Sequence, residues 1–217
     1  MLPDERRPQL SATRSELLAR RSQIGLALQG RGLLEEKRDA LKREFVRLGA
    51  SVLEAMGSLE ERCAQGRREL DDAVALDGPD VVGSASLAAT GEVEVGLFAR
   101  NVAGVSIVEV EKPPLRRVAT GRGYSLAGTT ARVDRVAQAF ESQLDLLLDV
   151  VATELSLRRL AAAIAATTRR VNALEIVVIP RLEAERDAIA MVLEEREREE
   201  RVRLLRARPG RDATEAG

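Results

Sequence analysis

The chain has 217 residues and only 2% of them are aromatic, with no Trp and a single Tyr, which argues against a thick globular core built on large rings. At 45% hydrophobic and 32% charged, with 34 basic against 35 acidic side chains, the composition is that of long amphipathic helices, and a net charge of -1 offers no cationic field to nucleic acid or anionic lipid. Histidine is absent, which removes the commonest general base and metal ligand, and the lone Cys63 cannot form an internal disulfide.

The opening stretch MLPDERRPQL carries acids and prolines where a secretory signal would be apolar. No run of about 18 uncharged apolar residues follows. A cytosolic protein without a membrane span is expected.

A first helix is expected over residues 10–75. Leu10, Leu17, Ile24 and Leu28 form one apolar seam, and Leu34, Leu41, Phe45, Leu48, Val52, Ala55 and Leu59 continue it after a small phase slip. Each glycine along it costs roughly 1 kcal/mol of helix propensity relative to alanine, so the helix needs a partner.

Residues 77–130 lose the helical period. Asp77-Gly-Pro-Asp80 reads as the stop of the first helix. The alternation of Val93, Val95 and Leu97, then Val105, Ile107 and Val110 beyond a turn at Asn101–Gly104, reads as a short β-hairpin, with Thr129 or Thr130 capping the next helix. Residues 1–9 and 209–217 read as flexible tails.

The partner helix is expected over residues 131–208. Its stripe runs through Val136, Phe140, Leu144, Leu147, Val151, Leu155, Ile164, Val171, Leu174, Val178, Leu182, Ile189 and Leu193. Two stripes of similar length joined by a middle region bury best by folding back, so the expected fold class is all-α: a long antiparallel two-helix coiled coil, on the order of 100 Å, with a short β-hairpin insertion. Pro180 lies inside the second stripe and predicts a bend rather than an end.

Catalytic motifs are weak. Gly123 to Thr130 has the glycine spacing of a phosphate-binding loop but lacks its lysine, so a turn leading into a helix cap is the better reading. Basic pairs such as Arg67-Arg68 and Arg158-Arg159 lack interleaved aromatics and read as solvated helix faces. The segment Thr167 to Pro180 admits two readings: an exposed arginine pair with a register-setting Asn172, or a docking surface. Pairing Leu10 with a residue near 200 would set Arg169 and Arg170 beside Lys37 to Leu41, at the level of Glu35, Glu36 and Asp39, where opposite charges could lock the register.

At these residues the chain resembles the D subunit of V/A-type rotary ATPases. The resemblance is carried by Thr168-Arg-Arg-Val-Asn-Ala-Leu-Glu175, Val178-Ile-Pro-Arg-Leu182 and Leu193-Glu-Glu-Arg-Glu-Arg-Glu199. Thr13-Arg14, Leu33 to Leu41, Asn101 to Val105 and Tyr124 to Thr129 agree with it. It implies a non-catalytic central stalk without cofactor or metal, turning in a head of three catalytic A and three B subunits. The F subunit and a funnel-shaped C subunit would hold it above the membrane ring, so that it is peripheral on the inner face of the cell membrane. Arg169, Arg170, Asn172, Glu175 and Pro180, with Lys37, Arg38 and Asp39, are the expected rotor contacts. A coiled-coil scaffold or tether unrelated to rotation is the competing expectation.

Overall fold

The computed structural model describes residues 12–89, 93–125 and 127–207; the expected tails lie outside them. In chain order the elements are α1 (Arg14–Asp77), α2 (Pro79–Ala88), β1 (Gly96–Val102), β2 (Val105–Glu111), a 3-10 turn (Ala119–Gly121), α3 (Ala131–Ala173), a π-helical turn (Leu174–Val178) and α4 (Ile179–Ala207). The fold is all-α, with long helices paired antiparallel as a coiled coil and one two-stranded hairpin between them.

α1 begins where it does because the Thr13 hydroxyl accepts the Glu16 N–H at 3.2 Å, one half of a capping box. It continues for 64 residues. Its buried and half-buried positions step through Ile24, Ala27, Arg31, Leu34, Arg38, Leu41 and Leu48 with no phase slip. Leu28, expected in the seam, is exposed, and the small Ala27 sits there instead. The slip arose from following only large apolar residues.

Asp77-Gly-Pro-Asp80 does end α1, but it also starts α2, a helix absent from the sequence expectation. Gly78 has φ 89°, a conformation open to glycine, and Pro79 opens the new helix, where its missing N–H leaves no bond unmade. The hairpin begins at Gly96, later than the alternation from Val93 implied, and Ala103 and Gly104 turn it with φ 49° and 80°. Thr130 caps α3, its hydroxyl accepting the Arg132 N–H at 3.3 Å.

The chain forms two compact units. The first joins the α1 stretch up to Glu36 with the chain from Thr167 onward, and the second spans Lys37–Ala166. Within the first, Arg14 pairs with Glu197 at 2.7 Å and Arg20 with Glu185 at 3.0 Å, so the helices run antiparallel. Within the second, Arg62 donates to the Ser142 hydroxyl at 2.6 Å and Arg135 pairs with Glu69 at 3.2 Å, again antiparallel. The core of the second unit is Leu41, Ile107 and Leu160, from α1, β2 and α3, all essentially solvent-free.

The α3 stripe differs from expectation. Phe140, Leu144, Leu147, Val151 and Leu155 are 41–44% exposed, while Val133, Val150, Ala152, Ser156 and Leu160 are buried. Two adjacent sets compete for the seam, and the small residues let the helix and hairpin approach more closely.

The α1 glycines divide into two kinds. A Cβ at Gly49 would meet nothing within 4 Å, whereas one at Gly66 would collide with Gln143 Nε2. Gln143 is anchored there, donating to the Arg62 carbonyl at 2.9 Å. Gly49→Ala is therefore expected to stabilise the isolated chain by about 1 kcal/mol. Gly66→Ala should gain nothing, because it breaks that hydrogen bond, worth about 1 kcal/mol. Urea unfolding checks both, and in a Gln143→Ala background, where that hydrogen bond is already gone, Gly66→Ala should show the full propensity gain of about 1 kcal/mol.

Candidate partner interface

The second unit is locked by polar groups that composition did not reveal. The Ser156 hydroxyl, buried on α3, accepts the Val108 N–H at 2.8 Å and lies 3.0 Å from the Val108 carbonyl and 3.1 Å from that of Ala152, so one side chain ties β2 to α3 at Val108. Arg159 donates to the Ser106 carbonyl at 3.2 Å, and Lys112 sits 2.9 Å from both Asp145 and Asp149. Glu44 on α1 meets Arg47 at 2.6 Å and Arg100 of β1 at 3.1 Å. Bonds from Arg47, then from Arg100, hold the Glu44 carboxyl at about 2, well below the usual range.

The loop before α3 closes on Arg122. Its guanidinium, 3% exposed, donates to Glu141 at 2.9 Å and Asp134 at 3.0 Å, and the Tyr124 hydroxyl donates to Asp134 at 2.6 Å. The Glu141 bonds raise the Arg122 pKa further despite burial, while burial and Asp134 raise that of Tyr124. The Asp77 carboxylate accepts from Arg132 at 2.7 Å and from Thr130 at 2.5 Å, which lowers its pKa. The glycine-spaced loop thus directs its donors to its own chain: Thr129 bonds the Ser125 carbonyl at 2.9 Å. Isolated Arg122 and Ser156 gave no sequence signal, since neither belongs to a periodic pattern.

The expected contact residues fall in both units. In the second, Lys37 approaches the hairpin turn, its Nζ 3.2 Å from where a Gly104 Cβ would stand, and Arg38 pairs with the neighbouring Asp39 at 3.3 Å. In the first, Arg169, Arg170, Asn172, Glu175 and Pro180 lie on the helix carrying the π turn, where Arg169, Arg170 and Asn172 are exposed. Asn172 is therefore no seam residue, while Val171, expected on the stripe, is almost fully buried. Glu35 pairs with Arg31 at 3.8 Å, and neither Arg169 nor Arg170 has an ion pair among the described residues.

The helix does not end at Pro180. The preceding turn widens to π, with the Ile179 N–H bonded to the Leu174 carbonyl five residues back, which eases the proline ring past the turn before it. Ile176, Val177 and Val178 on this turn are 70%, 60% and 38% exposed, and Ile179, 6% exposed, replaces the expected Val178 in the seam.

The arrangement is that of a helical-hairpin protein, and among the described residues no helix is long and apolar enough to cross a membrane. Comparison with known proteins gives the family. The model of the ATP synthase D subunit matches residues 16–208. The chain is 36% identical over 197 residues to the A-type ATP synthase D subunit of Archaeoglobus fulgidus, covering 90% of this chain and 94% of that one. It is 39% identical over 196 residues to its counterpart in Thermococcus gammatolerans, covering 90% and 92%. It is 38% identical over 198 residues to the V-type ATP synthase D subunit of Anaeromyxobacter dehalogenans, covering 91% and 95%. The chain belongs to the ATP synthase D-subunit family, and as such is one component of a larger ATPase complex.

Glu44 supplies a pH test. Its folded pKa, about 2, lies below that of an unfolded carboxyl, so the folded state binds fewer protons between those values. Its stabilising contribution is complete above the unfolded value of about 4.3 and is lost as pH falls toward about 2. Glu44→Gln should lower stability at pH 7 and flatten the acid limb of a urea-midpoint series taken from pH 6 to pH 2.

Proposed function

We propose that this chain is the central rotor stalk of a V/A-type ATPase, coupling rotation of the membrane ring to ATP synthesis or hydrolysis in a head of three A and three B subunits. The F subunit and the funnel-shaped C subunit join it near the membrane ring, which keeps it peripheral on the inner face of the cell membrane. The shaft does no chemistry. Its faces differ around the axis, so each catalytic interface meets a different surface as it turns. Moving one site from 1:99 to 99:1 between conformations takes about 5.5 kcal/mol of differential contact energy.

The observation that carries this reading is that, after the helix pair has filled its own seam, large apolar side chains stay exposed on both units, two sets of them beside features that suit a partner. In the second unit the Phe140, Leu144, Leu147, Val151 and Leu155 face recurs at three and four residue steps, the pattern that seats a third helix. We assign it to the F subunit. In the first unit, Arg169 and Arg170, without an ion pair among the described residues, stand before the exposed Ile176 and Val177, a cationic and apolar surface suited to the head.

Two experiments separate these assignments. Reversing both charges, Arg169→Glu with Arg170→Glu, should leave helix content and thermal unfolding unchanged while weakening binding to a reconstituted A and B head by about 2–5 kcal/mol, at least thirtyfold. Unchanged assembly and coupling would remove the head contact. Leu147→Glu with Val151→Glu should abolish co-purification of the F subunit at little cost to the isolated chain, since both side chains are already half exposed. A tether unrelated to rotation would bring down none of these subunits.

A further inference from the structure

The π turn is a counting device as well as a proline accommodation. The positions of α3 and α4 withdrawn from solvent include Val171, Leu174, Ile179, Leu182, Arg186 and Ile189. Each step between them is three or four residues except Leu174 to Ile179, which is five. The segment therefore holds one residue more than a straight heptad seam accepts, and the π turn absorbs it locally. Of its five residues only Leu174 is withdrawn from solvent, so packing does not pin the other four.

Leu174 and Leu182 are eight residues apart, and the seam between them can be closed in two ways. A step of five then three seats Ile179, as here. Two steps of four seat Val178, with the extra residue spread over ordinary α-helix by slight unwinding. Leu174 and Leu182 keep their places in both. Val178 and Ile179 are both β-branched and nearly equal in size, so either fits the seat. Pro180 sets the balance, because in the second arrangement its ring meets the Ile176 carbonyl, which the π turn avoids.

We propose that Leu174–Pro180 is a register joint, exchanging between a π form with Ile179 seated and an α form with Val178 seated, and held toward the π form by Pro180. The exchange turns the joint progressively about its own axis, reaching about 100°, one residue of helix, at the seat, while the seam on either side stays closed. It re-aims Ile176 and Val177, which are among the exposed apolar side chains of the first unit, by part of that angle. A shaft gains local torsional give without unzipping, and the joint exists whether or not the chain is a rotor.

Disulfide trapping in the full chain with Cys63→Ser tests it. Arg20 and Glu185 are paired at 3.0 Å, so Ala27, one heptad along α1, comes level with Val178 and Ile179. Ala27→Cys is combined in turn with Ile179→Cys, Val178→Cys and, as an outward-facing control, Ile176→Cys. The Ile179 pair should close fastest. The Val178 pair should also close fully, about ten to a thousandfold more slowly, as a minor state does. Pro180→Ala should shift that ratio toward Val178 on the order of a hundredfold. A Val178 pair no faster than the Ile176 control, or a ratio indifferent to Pro180→Ala, would overturn the joint. In the chain without introduced cysteines, Pro180→Ala should slow amide exchange of Val177–Ile179 at least tenfold; unaltered exchange would equally contradict it.

Discussion

Two paired helices can bury only one narrow seam each, and this constraint shapes every other feature of the protein. With one stripe per helix withdrawn from water, no thick core is available, and the pair must be held in register by contacts across it. The ion pairs Arg14–Glu197, Arg20–Glu185 and Arg135–Glu69 do this at intervals. Arg14–Glu197 and Arg135–Glu69 are largely open to solvent and each is worth under about 1 kcal/mol, whereas Arg20–Glu185 is mostly withdrawn from it, at 19% exposure on each side. Their value is specificity of register more than stability, since a slip of one residue would misplace all of them together.

Where a unit carries more than two helices, the chemistry changes. The hairpin supplies Ile107 as a third wall to Leu41 and Leu160, and its approach is set by the small buried Ser156, which a larger residue could not replace. The loop that follows is fastened by Arg122, whose buried charge is met by Glu141 and Asp134. Removing either carboxylate would leave a guanidinium short of partners away from water, so this cluster specifies one loop conformation. The half-exposed α3 face and the exposed Arg169 and Arg170 are the complement of this arrangement: surfaces that the described residues leave open.

Much of the helix pairing was legible because heptad spacing is a local signal repeated many times. Leu41, Val52, Val171, Ile189 and the hairpin around Ile107 lie where periodicity puts them. Three things were hidden, each for a physical reason. Phe140 to Leu155 keep heptad spacing yet stay half exposed, while the buried Val150, Ala152 and Ser156 beside them follow no such spacing and include the contact with the hairpin at Val108. Val178 yields its seat to Ile179 because a π turn adds one residue, which no α-helical period can announce. Pro79 marked a stop but not the start of α2, since proline is equally at home after one helix and at the first turn of the next. Of the candidate contacts, Arg169 and Arg170 are exposed, which both readings of that segment expected, while Asn172 lies outside the seam and so does not set its register.

The antiparallel register is the claim on which these features depend. Spin labels at Ser22 and Ala184, both on the helices joined by the Arg20–Glu185 pair and close to its level, measure it by pulsed dipolar spectroscopy in a Cys63→Ser background. Helix axes packed about 10 Å apart place the labels within roughly 20 Å of each other, in a single narrow distribution. A separation of about 40 Å or more, or a broad distribution, would mean that these helices do not pair in this register.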